Sequence, residues 1–263
     1  MSYLYETHLH TAQASACGHS KGADYISFYK EKGYTGIIVT DHFLNGNTSV
    51  PASLPWEERI NLFCQGYEDA KKEGDKQGLQ VFFAWECRFG PDEFLVYGLD
   101  KDWLLAHPDI LEWDHITHYH EIKKAGGLVV QAHPFRLRSY MQHIRLGHLY
   151  CDGVEVANAG NQSYEDACAY RYAKAFGKTM TAGSDNHYSH TDLDITKKIF
   201  GISLDHRMEN IHDLVYMIRN KTPIGLNVPD TRWDLPADPP HMEPFFLDEQ
   251  EQLVRTNRDW LRE

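Results

Sequence analysis

The chain has 263 residues, 42% apolar and 13% aromatic, enough to bury a large core and within the usual size of one α/β barrel. Its formal charge of -12 argues against a broad basic surface that grips long nucleic acid. No uninterrupted apolar run approaches membrane-spanning length, no basic segment precedes an apolar core at the start, and the five cysteines form no CxxC pair, so a reduced cytoplasmic protein is expected.

In chain order, a strand from about Tyr3 ends in Glu6-Thr7-His8-Leu9-His10. Histidines one residue apart on extended backbone point to one side, so His8 and His10 can hold one metal ion together. A loop rich in Ala, Ser and Gly runs from Thr11 to Gly22 and carries Cys17-Gly18-His19; a helix from about Ala23 to Lys32 follows, stopped by Gly33. The second strand, Thr35 to Thr40, is short and β-branched and ends in Asp41-His42. After a loop at Asn45 to Pro55, Trp56 to Gln77 reads as a long amphipathic helix ended by Gly78. Strand three, Leu79 to Glu86, closes on Trp85-Glu86, and strand four, Phe94 to Leu99, follows the turn Gly90-Pro91-Asp92.

Trp103 to Trp113 reads as irregular or as two short helical turns, and Asp114 caps a helix to Lys124. Strand five, Leu128 to Ala132, leads into His133-Pro134. Strand six, Gly153 to Ala157, precedes a helix from Ser163 to Phe176, and strand seven, Thr179 to Ala182, leads into Gly183-Ser184-Asp185-Asn186-His187. An extended piece at Lys198 to Leu204 and a helix from Glu209 to Asn220 complete the alternation. Such alternation favours an α/β fold with a parallel sheet closed or nearly closed into a barrel. The barrel is expected over residues 1-225, with residues 226-263 as a tail packed on it that holds a last helix near Glu249 to Arg262.

Five apolar runs thus end in a metal-type ligand, on the face where α/β barrels build their chemistry. Imidazole nitrogen mixed with carboxylate oxygen suits Zn, Mn or Fe better than an all-oxygen Mg or Ca site. Each signal is weak alone. An Asp after a strand is often a cap or an Asx turn, and Asp41 reads equally well as that. Glu86, between Trp85 and Cys87 behind a strongly apolar strand, needs a cation or hydrogen bonds. His115, His118 and His120 lack an accompanying carboxylate pattern and read as surface residues.

The order His-x-His, Thr-Asp-His, a Glu, Ala-His-Pro and Gly-Ser-Asp-x-His resembles the PHP (polymerase and histidinol phosphatase) family of metal-dependent phosphoesterases over about residues 3-225. The resemblance implies a distorted, TIM-barrel-like (β/α)7 barrel with two or three divalent transition metals at the C-terminal strand ends. It puts His8, His10 and Asp185 on a first metal, Glu86 as a bridge, and His133 on a second. His42 and His187 would bind a third with His19, because Cys17-Gly18-His19 resembles the Cys-x-His loop of the histidinol phosphatase branch. Two departures stand out. The interval from His10 to His19 exceeds the family's short loop, and Glu93 stands near where the family often has a histidine, so Glu93 is expected to substitute at the second metal.

The chemistry implied is attack on phosphorus by a metal-bridging hydroxide, with Asp185 or His187 protonating the leaving oxygen. Arg136 is expected to clamp the phosphoryl oxygens. Arg138 and Asn158 are expected as further substrate contacts, and His190, Lys197 and Lys198 as additional phosphate contacts. A small phosphorylated metabolite fits the acidic chain, as a phosphomonoester or a phosphodiester. Two other readings stay open: a metal-dependent amidohydrolase or deaminase, which also begins with His-x-His and ends with a late Asp, and a degenerate PHP barrel that binds metal or partners without turnover.

Overall fold

A computed structural model describes residues 2-139, 141-189, 199-236, 243-255 and 259-261; His190, Lys197 and Lys198 lie outside them. The elements are β1 (Tyr3–Glu6), α1 (Tyr25–Glu31), β2 (Gly36–Val39), α2 (Trp56–Gln77), β3 (Gln80–Phe89) and β4 (Asp92–Tyr97). Next come α3 (Lys101–Ala106), α4 (His115–Lys124), β5 (Leu128–Gln131), β6 (Ile144–Leu146), β7 (Gly153–Asn158), α5 (Ser163–Ala175) and β8 (Thr179–Gly183). The chain continues with β9 (Ile202–Leu204), α6 (Ile211–Arg219), β10 (Gly225–Leu226), β11 (Pro244–Leu247) and β12 (Leu253–Arg255). No helix among the described residues is long and apolar enough to cross a membrane.

Nine strands form one nearly closed, barrel-shaped sheet in the order β10-β9-β1-β2-β3-β4-β5-β7-β8. Its two sides approach where the chain leaves β1 and β8: Leu9 bridges Asn186, the His10 N–H donates to the Asn186 carbonyl at 2.9 Å, and the Asn186 N–H donates to the His8 carbonyl at 3.2 Å. Strands β1, β2 and β3 are parallel, as are β5, β7 and β8. β4 runs antiparallel to both β3 and β5. A tight turn at Gly90 (φ 62) takes the place of a crossover helix there, and β9 also runs antiparallel, to both β1 and β10; these reversals distort the barrel. Because β4 is reversed, its first residues, not its last, lie at the end that carries His8, His42, Glu86 and Asp185.

The parallel strands are covered on both faces, so they read as apolar runs rather than alternating ones. Helix α2 begins and ends where the pattern places it, with Gly78 (φ 79) taking the left-handed C-terminal position. At its middle, Gly66 lies so close to the loop after β1 that an added Cβ would meet Thr11 Oγ1 at 2.0 Å. Helix α6 buries Leu214, Val215, Met217 and Ile218 in one cluster with Tyr5, Tyr97 and Val130, and full burial of each such side chain contributes about 1.5 to 3 kcal/mol.

Besides the reversed β4, two parts differ from the sequence reading. Residues 253-255 are strand, not helix: Phe245, Phe246 and Leu247 pair with Arg255, Val254 and Leu253 in a hairpin, and β11 lies parallel to β6. Aromatic and branched side chains favour that pleated surface. His115 and His118 are not surface residues; each is 1% exposed. They share the buried side of α4 with Ile122 and pack on the Phe89 and Phe94 rings. Burial pushes the His115 imidazole down to about 4 and the His118 imidazole down to about 3. His120 is exposed.

Candidate metal centre

The His8-Leu9-His10 segment is held rigidly from three sides. The Leu9 N–H donates to Thr40 Oγ1 at 2.8 Å, Tyr25 donates to the His10 carbonyl at 2.9 Å, and Tyr97 donates to the Thr7 carbonyl at 2.9 Å. Leu9 enters the core while His8 and His10, both fully buried, turn to the opposite side, as alternation along a strand demands. Glu6 clasps β1 to β8, accepting from the N–H groups of His8 and Ser184 and from the Tyr29 hydroxyl. Burial pushes its carboxyl up to about 7.

Hydrogen bonds behind the two imidazoles select which nitrogen faces inward. His8 Nδ1 meets Glu155 Oε1 at 3.0 Å, which makes Nδ1–H the donor. Asp41 accepts from the Thr11 N–H, the Thr11 hydroxyl and the Ser15 hydroxyl. Ser15 Oγ in turn accepts from the His42 N–H and lies 3.1 Å from His10 Nδ1. The Ser15 proton is given to Asp41, so His10 must donate through Nδ1–H. These tautomers are assigned from the hydrogen-bond pattern. They leave His8 Nε2 and His10 Nε2, 3.1 Å apart, as the inward-facing nitrogens. Asp41 is therefore neither a helix cap nor an Asx turn: it anchors the loop after β1 through Thr11 and Ser15.

Around this pair stand the other strand-end groups. Glu86 Oε1 lies 3.3 Å from both His8 Nε2 and His133 Nε2, and Glu86 Oε2 lies 2.7 Å from His42 Nδ1. Asp185 Oδ1 is 3.1 Å from His10 Nε2 and 3.5 Å from His8 Nε2. Ligand atoms group within 4.8 Å as His8-His10-Asp185, His8-Glu86-His133, His42-Glu86-Glu93 and His10-His42-His187. Glu93, at the start of reversed β4, reaches to 3.5 Å from His133 Nε2. His133 (φ 28) and Asp185 (φ 53) both hold left-handed backbone, a strained state for residues with a Cβ that tends to gather at functional sites.

The donor set fits divalent cations. Glu86 is 1% exposed, yet among the described residues no donor is aligned on either carboxylate oxygen, and such a carboxylate is costly to bury without a compensating charge. Burial opposes charge on His8, but Glu155, Asp185 and Glu86 together hold its pKa well above the ordinary value. Burial likewise opposes the Glu86 charge, which His8 and His42 keep ionised well below the usual carboxylate range. Positive charge is what this pocket demands, as protons or as metal.

Three expected residues stand elsewhere than the sequence reading puts them. His19 is exposed and stacked on Tyr188 with ring centroids 4.4 Å apart; it belongs to none of the ligand groups. Arg136, 9% exposed, commits its guanidinium to Asp185, Asn158 and Asn161, and so braces the centre from the wall of the cleft. Asn158 is fully buried; its Oδ1 accepts from Arg136 and Gly160 and its Nδ2 donates to Glu155 Oε2 at 2.9 Å. The two expected proton donors are also occupied. Burial notwithstanding, His8 and Arg136 keep the Asp185 carboxyl well below the usual range. His187 Nδ1 faces the Asp185 carbonyl at 2.7 Å, leaving Nε2 as its acceptor.

Two groups absent from the sequence reading complete the site. Glu155, fully buried, also accepts from the His133 N–H at 3.1 Å and thereby ties two ligand-bearing strand ends together. Its signal was a carboxylate inside the apolar strand Gly153-Val154-Glu155-Val156. Cys17 Sγ lies 3.1 Å from His187 Nε2; burial pushes this thiol up, but His187 and His42 bring it down to about 6.

The centre opens into a cleft of about 570 Å³ lined by Cys17, His42, Glu86, Glu93, His133, Asp185 and His187, with Arg88, Arg136 and Arg138 among its walls. Arg138 is exposed. A larger cavity of about 890 Å³ opens at the opposite barrel end, among Gln80, Gly98, Arg207 and His212, and contains none of the candidate ligands.

No protein-family profile matches the chain, and no curated protein matches it in sequence. Solved structures do. A two-domain protein from Bacteroides vulgatus ATCC 8482, containing a predicted PHP-like metal-dependent phosphoesterase, superposes with a TM-score of 0.62 at 16% identity. The match covers 84% of this chain and 63% of that one, so the present chain spans under two thirds of that relative. A putative metal-dependent phosphoesterase from Bifidobacterium adolescentis ATCC 15703 gives a TM-score of 0.50 at 14% identity, covering 81% of this chain and 94% of that one. An amidohydrolase from Chromobacterium violaceum, solved with bound sulfate and no metal, gives 0.52 at 13% identity, covering 81% and 96%. At these identities the likeness is one of fold: the chain has the barrel of PHP-like proteins described as metal-dependent phosphoesterases.

Proposed function

We propose that the chain is a metal-dependent phosphoesterase acting on a small phosphorylated metabolite. The observation that carries this reading is Glu86, a buried carboxylate with no aligned donor, ringed by His8, His42 and His133. Zinc, manganese or iron in such a nitrogen-and-oxygen pocket would polarise phosphoryl oxygens and lower the pKa of a water. His8, His10 and Asp185 would hold one cation, Glu86 and His133 a neighbouring one with Glu93 beside them, and His42 and His187 a third. Arg138 offers the entering anion a cationic side chain at the mouth of the cleft, and Arg88 lines the same wall. Arg136 fixes the Asp185 carboxylate, and Glu155 fixes the inward nitrogen of His8.

An amidohydrolase is the second reading, supported by the neighbour of that description. Metal content of the purified protein, followed by hydrolysis of p-nitrophenyl phosphate and its bis ester with added Mn or Zn, separates the two. Bound metal with ester cleavage supports the phosphoesterase; bound metal without it favours the amidohydrolase. Less than one metal per chain would leave a barrel that binds partners without turnover.

A further inference from the structure

With His19 turned outward, the loop after β1 presents a different side chain to His42 and His187. Cys17 Sγ lies 3.1 Å from His187 Nε2, and Cys17, His42 and His187 line the same wall of the cleft. The loop holds it there by backbone bonds. The Ala16 N–H donates to the Asn47 carbonyl at 2.8 Å, the Gly18 N–H to the Ser15 carbonyl at 3.0 Å, and the His19 N–H to the His187 carbonyl at 2.9 Å. The last bond seats the His19 backbone against the His187 segment while its ring stacks away on Tyr188.

We propose that Cys17, in place of His19, ligates a divalent cation together with His42 and His187. The assignment rests on the metal-centre reading above. On binding, the S–H bond breaks, its proton leaves to solvent, and the thiolate sulfur forms the bond to the cation. A sulfur among imidazoles makes this position softer than its neighbours and biases it toward zinc over magnesium or manganese. The five cysteines then fall into two kinds: Cys17, partly exposed to the cleft, and four buried ones.

Two measurements test this. Titrating metal-free protein with Co(II) should give an intense near-ultraviolet thiolate-to-cobalt band in wild type and His19→Ala. That band should vanish in Cys17→Ser and Cys17→Ala, with one cation fewer bound per chain. In unmodified protein, iodoacetamide should label Cys17 when metal is absent and react about tenfold or more slowly once zinc is loaded, a readout that needs no variant to fold. A band that persists in Cys17→Ser, or a labelling rate indifferent to zinc, overturns the Cys17 assignment. So does a band lost in His19→Ala. Cobalt uptake without any thiolate band defeats Cys17 alone, whereas failure to bind any cation defeats the metal centre as well.

Discussion

Glu155 Oε1 sits 3.0 Å from His8 Nδ1, with both side chains sealed from solvent. The inward nitrogen of His8 is thus set by a residue that never meets the cleft. Replacing Glu155 with Gln keeps the shape and removes the charge. Metal affinity should fall about 10- to 100-fold, read by competition with a chromophoric chelator. An unchanged affinity would reduce Glu155 to a packing group.

Cation binding should also be visible as stability. At a free metal concentration one hundred times its dissociation constant, a single site adds about 2.7 kcal/mol, so chelation should lower the melting temperature of wild type. Glu86→Gln, which leaves His8-His10-Asp185 intact, should show a clearly smaller metal-dependent shift than wild type. A full metal-dependent shift in that variant would remove Glu86 from the centre.

Arg136 and Arg138, two positions apart, are expected to behave oppositely. Arg136 is a buried partner of Asp185, and removing one member of such a pair costs about 3 to 5 kcal/mol. Arg136→Ala should therefore unfold at markedly lower denaturant. Exposed Arg138 should cost less stability than buried Arg136 when truncated, and its loss should raise KM for a phosphate ester more than it lowers kcat. Equal stability losses in the two variants would contradict this division.

Acid sensitivity should trace partly to α4. Buried neutral His115 and His118 have midpoints pushed down to about 4 and about 3, while the unfolded chain takes up protons near its ordinary value of about 6.5. Their contribution is complete above that value and is lost as pH falls toward the folded midpoints, at about 1.4 kcal/mol per pH unit for each group. Burial raises Asp92 and Asp166 to about 7, which acts in the opposite sense, so the test is a difference between proteins. His118→Phe should flatten the decline of chemical-denaturation stability between pH 6.5 and 4 and leave pH 8 little changed. A slope identical to wild type would exclude His118.

The strand-end candidate ligands were legible because an apolar run that stops at His, Asp or Glu carries its own register: the strand fixes the height and alternation fixes the side. Loops carry no such ruler. Cys17 and His19 are two residues apart, and backbone bonds from Ala16 and His19 decide which side chain turns inward. The reversal of β4 could have been read, since the short stretch Gly90-Pro91 cannot make the crossover that a parallel strand needs. Glu155 was hidden by its apolar neighbours, and the histidines of α4 by the habit of counting His as polar when aromatic rings can enclose it.

Arg232 reaches back from beyond β10 to donate to Asp166 and to the carbonyls of Asn158 and Asn161. Asp166 accepts in turn from the Asn158 N–H and from Asn161, and those two asparagines hold the guanidinium that steadies Asp185. A chain cut short after residue 225 would keep every candidate ligand while stripping the counterion from a fully enclosed carboxylate three links away. Such a fragment would be expected to hold its cations less tightly, which makes the far end of the polypeptide a keystone for chemistry written mostly in its first two hundred residues.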